Sequence, residues 1–288
     1  MLPESIIRSL TQNLGESPQQ LTTVGGGSIN ECFRFTLHDK VFFLKYNSQK
    51  QYPDIIQCEQ EGHTALASSE VVKTPDILQY EQVEDYEFLL LPFIGSGKRG
   101  PLFWRELGTS LAKLHDQDVG DEFGWSRTNY LGSLPQYNQS NTDFTDFWIH
   151  QRILPQLKWA KDAHKIGQKE VKAFEKLFTK LNAIFPSLQP SLVHGDLWSG
   201  NIIGHDEAGA YFIDPAIHYG HSETDLAFTH LFGSFEPSFY QAYQEIRPLA
   251  PGFQDRISIY NLYPLLLHLN LFGQAYLPSI SSSLKAFQ

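Results

Sequence analysis

Leu192-Val-His-Gly-Asp-Leu-Trp-Ser-Gly-Asn201, followed after a turn by Tyr211-Phe-Ile-Asp214, is the stretch on which the reading of this chain depends. Asp196 and Asn201 stand five residues apart, and Asp214 ends the next short apolar run. Phosphoryl-transfer loops use this spacing: the first aspartate takes the proton of the acceptor hydroxyl, and the asparagine and second aspartate ligate Mg²⁺. Mg²⁺ favours hard oxygen donors and keeps waters, so two side chains and nucleotide phosphates suffice. Asp196 is therefore the candidate catalytic base, and Asn201 and Asp214 are the candidate metal ligands. A single aspartate here would read as a turn cap; His194, Asp196, Asn201 and Asp214 in this order point to chemistry.

Upstream lie the parts that such a loop needs. Val24-Gly-Gly-Gly-Ser-Ile-Asn30 falls between two expected strands. Its glycines, Gly25, Gly26 and Gly27, with Ser28, would let backbone N–H groups approach phosphate oxygens, although a glycine-rich hairpin is also a common turn. Lys45 ends the alternating run Val41-Phe-Phe-Leu-Lys45, and Glu59 follows on an expected helix. A strand lysine oriented by a helical glutamate holds the α- and β-phosphates in kinases. Glu61 is the competitor for that role, but it lies about 200° from Glu59 around a helix, so only one of the two can face Lys45. Glu59 shares its side with His63 and Leu66, and is expected to be the partner.

The periodicity changes near residue 92, which divides the chain into segments 1–92 and 93–288. Strand-length runs at 20–24, 31–37, 41–46, 76–80 and 86–91 precede it, with one helix over 54–68. After it, 102–115, 144–161, 169–185 and 254–271 read as helices, with short strands at 191–194, 202–203 and 210–213. The fold class is α+β, with a β-rich first part and a mainly α-helical second.

Composition narrows the function classes. The 288 residues are 41% hydrophobic and 19% charged, which fits a globular chain and not a disordered one. Net charge is -10, which disfavours nucleic acid and anionic membrane as partners. The apolar stretch 263–272 is interrupted by His268 and Asn270 and is too short to span a bilayer. The first ten residues lack the layout of an export signal. Cys32 and Cys58 are the two cysteines, too few for a disulfide framework, and a cytoplasmic location is expected.

The string His194-Gly-Asp-Leu-Trp-Ser-Gly-Asn201 resembles the small-molecule kinases of the aminoglycoside phosphotransferase and choline kinase group. With Asp214-Pro-Ala216 and Tyr219-Gly-His-Ser-Glu-Thr-Asp-Leu-Ala227, it more narrowly resembles the fructosamine kinase (ketosamine-3-kinase) family, over nearly the whole chain. Further matching segments are Leu111-Ala-Lys-Leu-His115 and His268-Leu-Asn-Leu-Phe-Gly273. The resemblance implies a two-lobe, protein-kinase-like fold, with 1–92 as the nucleotide-binding lobe and 93–288 as the catalytic and substrate lobe. It implies ATP and Mg²⁺ as cofactors. Lys45 would meet the phosphates with Glu59 as its partner, and the strand ending at Pro92 and Ile94 would hold adenine.

The implied acceptor is a ketosamine, free or on a glycated amine or protein, phosphorylated at its 3-hydroxyl as a step in deglycation. Trp198, His221 and Glu223 are offered as acceptor contacts; Asp225 is expected to brace the catalytic loop. His218 and His221, three residues apart, lack a third metal ligand at suitable spacing and are read as ordering the loop or contacting substrate. His63 stands where family members usually carry an apolar residue, His150 where an acidic one is common, and Ser28 where some carry Cys. A kinase for another amine-bearing small molecule, such as an aminoglycoside or choline, is the alternative, as is a kinase-shaped binding protein without catalysis.

Overall fold

The computed structural model describes residues 2–25 and 29–287. In chain order its elements begin with α1 (Glu4–Leu14), β1 (Gln19–Thr23), β2 (Glu31–Leu37), β3 (Lys40–Ser48), α2 (Ile55–Ser68), β4 (Gln79–Val83) and β5 (Tyr86–Pro92). There follow α3 (Pro101–His115), β6 (Asn129–Leu131), β7 (Leu134–Gln136), α4 (Phe144–Phe147), α5 (Leu154–Asp162), α6 (Gln168–Phe178), α7 (Leu181–Ile184), β8 (Ser191–Val193), β9 (Ile202–His205), β10 (Gly209–Phe212) and β11 (His218–Gly220). The chain continues with α8 (Ser222–Phe228), α9 (Pro237–Ile246), α10 (Phe253–Tyr260), α11 (Leu262–Phe272) and α12 (Leu277–Leu284).

The chain divides into two compact units, Met1–Gly100 with Ile202–Ala216, and Pro101–Asn201 with Ile217–Gln288. The change of period at 92 thus falls eight residues before the end of the first segment. The hairpin β9–β10 returns to the first unit because its backbone joins that unit: Gly97 N–H donates to Gly204 O, and Phe212 N–H to Lys73 O.

In the first unit an antiparallel sheet runs in the order β1-β2-β3-β5-β4. Alternation decides its two faces. Phe42, Leu44 and Tyr46 of β3 pack with Phe33, Phe35 and Leu37 of β2 into a core that Ile6 and Leu10 of α1 join. Lys45 therefore emerges on the opposite face, against which α2 packs. The N-terminus of α2 has no local side-chain cap; Asp54 has φ of +58° there. Glu87 of β5 takes over, accepting from the N–H groups of Ile56 (2.8 Å) and Gln57 (3.2 Å), so a fully buried carboxylate holds the helix by its exposed donors.

The strand expected over 76–80 is β4, three residues later, because Glu84 at φ +53° makes a tight turn that sets Val83 opposite Tyr86. α1 also escaped the sequence reading, as did β6, β7, β11, α8, α9 and α12.

The second unit is mainly helical. The helix expected over 144–161 is α4, a π-helical turn (Trp148–Ile153) and α5. Pro155 has no N–H to donate into the preceding turn, so the backbone widens there instead of continuing as an α-helix. The helix expected over 254–271 breaks at Asn261, whose side chain donates to Ala227 O at 2.8 Å, and restarts with Pro264 in its first turn.

Candidate active site

In the first unit, Lys45 Nζ lies 2.8 and 2.9 Å from the two carboxylate oxygens of Glu59 and 2.6 Å from Asp214 Oδ1. Burial alone would lower the Lys45 pKa, but the charges of Asp214 and Glu59 outweigh it and raise it. Burial would likewise raise the Glu59 carboxyl, yet Lys45 holds it at about 2. The cluster is thus a lysine ion-paired on two sides, with Glu59 and with Asp214. Glu61 instead accepts from Gln57 Nε2 at 3.2 Å, as the helical spacing predicts.

Asp214 is held at φ +53°, a region that non-glycine residues seldom occupy, while its side chain is 46% exposed. Pro215 fixes this segment against α2: a Cβ built on Gly62 would come within 2.8 Å of the Pro215 ring, so only glycine permits the approach. Cys32 pairs with Lys45 across β2 and β3 and feels the cluster's charges. Burial pushes its thiol up to about 11. Neither cysteine is in a disulfide, and both are buried.

Of the glycine-loop candidates, Gly25 is exposed with open space around it; Gly26, Gly27 and Ser28 lie outside the described residues. Asn47, which the sequence reading missed, ties down the chain just beyond them, donating to Ile29 O (3.0 Å) and Asn30 Oδ1 (2.7 Å). Pro92 and Ile94 are half-buried at the end of β5.

In the second unit, Asn201 Nδ2 donates to the Asp196 carbonyl (2.9 Å) and to Asp196 Oδ2 (2.8 Å). With its amide nitrogen committed to Asp196, Asn201 presents Oδ1 as an acceptor. An amide oxygen of this kind and, in the first unit, the half-exposed Asp214 carboxylate are each the hard-oxygen donor type that Mg²⁺ takes. Gly195 sits at φ +81°, and the turn it makes is braced from below by Asp225. That carboxylate accepts from His194 N–H (2.7 Å), Gly195 N–H (2.9 Å) and His115 Nε2 (3.2 Å). Burial would raise the Asp225 carboxyl; the hydrogen bond and charge of His115 override it and keep it low.

The family model of fructosamine kinase matches residues 2–287. The chain belongs to the fructosamine kinase family. It is 35% identical to a probable ketoamine kinase of Enterococcus faecium, over 92% of this chain and 94% of that protein. It is 30% identical to the ketosamine-3-kinase of Mus musculus, over 88% of this chain and 89% of the relative. Among solved structures, one assigned to fructosamine-3-kinase from Thermobifida fusca superposes with a TM-score of 0.88 at 30% identity, covering 99% of both chains. The aminoglycoside phosphotransferase APH(4)-Ia, at 15% identity, shares the fold with a TM-score of 0.67 over 99% of each chain. The fold is kinase-like α+β, and the chain is a kinase of the fructosamine type.

Two of the acceptor contacts offered for this fructosamine kinase are corrected by burial. Glu223 is 1% exposed and takes both donors of Arg256 (2.7 and 2.6 Å) and the Tyr260 hydroxyl (2.9 Å). His221 is fully buried between the Tyr260 hydroxyl (2.8 Å) and Pro186 O (3.1 Å), with its ring stacked on Phe144. Burial pushes its pKa down to about 3. Both side chains are buried with their polar atoms already partnered within the protein; a charge in sequence gives no sign that the partner of Glu223, Arg256, lies 33 residues away.

Trp198 is half-buried over Gly200, and its edge meets Phe232 at 5.9 Å. Phe232 packs on His268 (5.0 Å), and His268 on Phe272 (5.4 Å) and Tyr276 (5.1 Å). Phe232 and Phe272 are 38% and 55% exposed, so an open aromatic row starts two residues from Asp196. Only its Trp198 end was singled out from sequence as a contact. Among the described residues no group of three or more His, Cys, Asp or Glu side chains could hold a metal, and His218 with His221 makes no such centre. No helix is long and apolar enough to cross a membrane.

Proposed function

We propose that this kinase transfers the γ-phosphoryl group of ATP to the 3-hydroxyl of ketosamines, free or carried on glycated amines and proteins. The observation that carries the reading is the Lys45–Glu59–Asp214 ion-pair cluster, with Lys45 and Glu59 buried, in a chain of this family. Within 1–92, Lys45 meets the α- and β-phosphates, the N–H groups of Gly25, Gly26, Gly27 and Ser28 follow their oxygens, and the Pro92 carbonyl and Ile94 N–H meet adenine. Within 93–288, Asp196 accepts the proton of the acceptor hydroxyl as its oxygen bonds to the γ-phosphorus and the bond from that phosphorus to the leaving oxygen breaks. Asn201 holds the Asp196 carboxylate in orientation through Oδ2.

Asn201 and Asp214 are the residues that would hold Mg²⁺, which supplies charge neutralisation at the phosphates. A ketosamine carries a protonated secondary amine, and the row from Trp198 to Phe272 offers it aromatic faces. Phosphorylation at the 3-position makes the adduct prone to elimination, the chemical basis for a deglycation role. Two buried cysteines outside any disulfide suit a reducing cytoplasm.

The test is ATP-dependent phosphate transfer to a panel of ketosamines, each beside its plain sugar, with and without Mg²⁺. Transfer that needs Mg²⁺ and prefers the ketosamine is expected. Equal reaction of the plain sugars overturns the substrate class, and absence of transfer to every ketosamine overturns the reaction.

A further inference from the structure

We propose that His63 is a positioning residue for the phosphate-binding lysine, acting through Glu59. It is the second partner that keeps the Glu59 carboxylate in place when Lys45 turns its hydrogen bonds to nucleotide. The proposal rests on the reading of Lys45 above and deepens it.

His63 lies one turn beyond Glu59 on α2, is 1% exposed, and neither of its ring nitrogens has a hydrogen-bond partner among the described residues. A buried polar ring left in that state costs stability. Packing alone does not call for it, since an apolar side chain fills such a position without the cost. Its Nε2 stands 3.7 Å from Glu59 Oε1, the same oxygen that Lys45 contacts at 2.8 Å.

An ammonium has three N–H donors. All three of those on Lys45 are committed, to Glu59 Oε1, Glu59 Oε2 and Asp214 Oδ1. A phosphate oxygen therefore gains a Lys45 hydrogen bond only by displacing one of these carboxylate oxygens. When Glu59 Oε1 is displaced, a buried carboxylate oxygen loses its donor, and the nearby imidazole closes from 3.7 Å to hydrogen-bond distance by a small rotation. The helix itself cannot back away to absorb the change, because Gly62 abuts Pro215, the neighbour of Asp214. His63 also lines a cavity of about 770 Å³ with the second half of α2, residues 70–77 and Tyr211, all in the first unit. With the side chain cut back in His63→Ala, a small ring would have that cavity as its route to the vacated site.

The experiment compares wild type, His63→Leu, His63→Ala and Lys45→Met, as full chains, by KM for ATP, kcat with a ketosamine and thermal midpoint. His63→Leu is expected to keep or raise the midpoint while KM for ATP rises about 3- to 10-fold, the scale of one lost hydrogen bond, with kcat changed less. Imidazole is expected to return the KM of His63→Ala towards the wild-type value and to leave wild type unaffected. A wild-type KM in His63→Leu overturns the proposal, as does a raised KM in His63→Ala that imidazole does not lower. If Lys45→Met keeps wild-type KM and turnover, the role of Lys45 itself falls; a damaged Lys45→Met beside a silent His63→Leu removes His63 alone.

Discussion

Replacing Asp225 by Asn tests whether the HGD segment is held from below. The carboxylate gives Oδ2 to His194 N–H at 2.7 Å and Oδ1 to Gly195 N–H at 2.9 Å, with His115 Nε2 as a third donor. An asparagine supplies one oxygen and one NH₂, so at least one of the two backbone donors then faces another donor beside a buried side chain. Losing a hydrogen bond to a charged group costs about 1.5–3 kcal/mol, and stranding a buried donor adds about 1–3 kcal/mol, with partial relaxation between them. The working value is roughly 3 kcal/mol, which for a chain of this size lowers the thermal midpoint by about 5 °C. Calorimetry reads the midpoint, and initial rates below it read the effect on the loop. Turnover should fall in the folded variant as well, because Asp196 follows directly on the two braced residues. A midpoint within 1 °C of wild type, with unchanged turnover, would refute the bracing role.

Asp196→Asn should retain the midpoint, since an asparagine carbonyl can still accept from Asn201 Nδ2, while turnover drops by about two to four orders of magnitude, as measured by phosphate transfer. Wild-type turnover removes Asp196 from the role of base. Gly62→Val should push α2 off Pro215 and weaken the Lys45–Glu59 pair, raising KM for ATP about tenfold or more; a crystal structure with the 2.8 Å pair intact would contradict this. Acid should destabilise the fold through His221, whose folded-state pKa of about 3 lies below the ordinary value of 6.5. Between those two values the unfolded chain binds the extra proton, so stability falls as pH drops through that window, by about 1.4 kcal/mol per unit. Denaturant titrations from pH 7 to pH 5 should show a slope shallower by about one proton in His221→Phe, and equal slopes would count against it.

Much of the site was legible because local periodicity carries direction. Alternation along β3 sends Phe42, Leu44 and Tyr46 to one face and so delivers Lys45 to the other. Helical spacing likewise turns Glu59, not Glu61, towards Lys45. The loop from His194 to Asn201 is short enough for its spacing alone to bring Asp196 and Asn201 together.

What only the tertiary structure decided involves groups far apart in the chain, for which periodicity carries no information. Lys45 meets Asp214 across 169 residues, and Asp225 meets His115 across 110. Glu223 looks in sequence like an acidic contact for an amine, yet Arg256 and Tyr260 enclose it and consume its oxygens. Helical spacing puts His63 on the side of Glu59, but that both are buried beside Lys45 and Asp214 emerges only in three dimensions. Residue order sets which way a side chain leaves its own strand or helix. Whether it then meets solvent, a partner charge or an apolar wall depends on which distant segments pack over it, and that is set by the burial of the whole core.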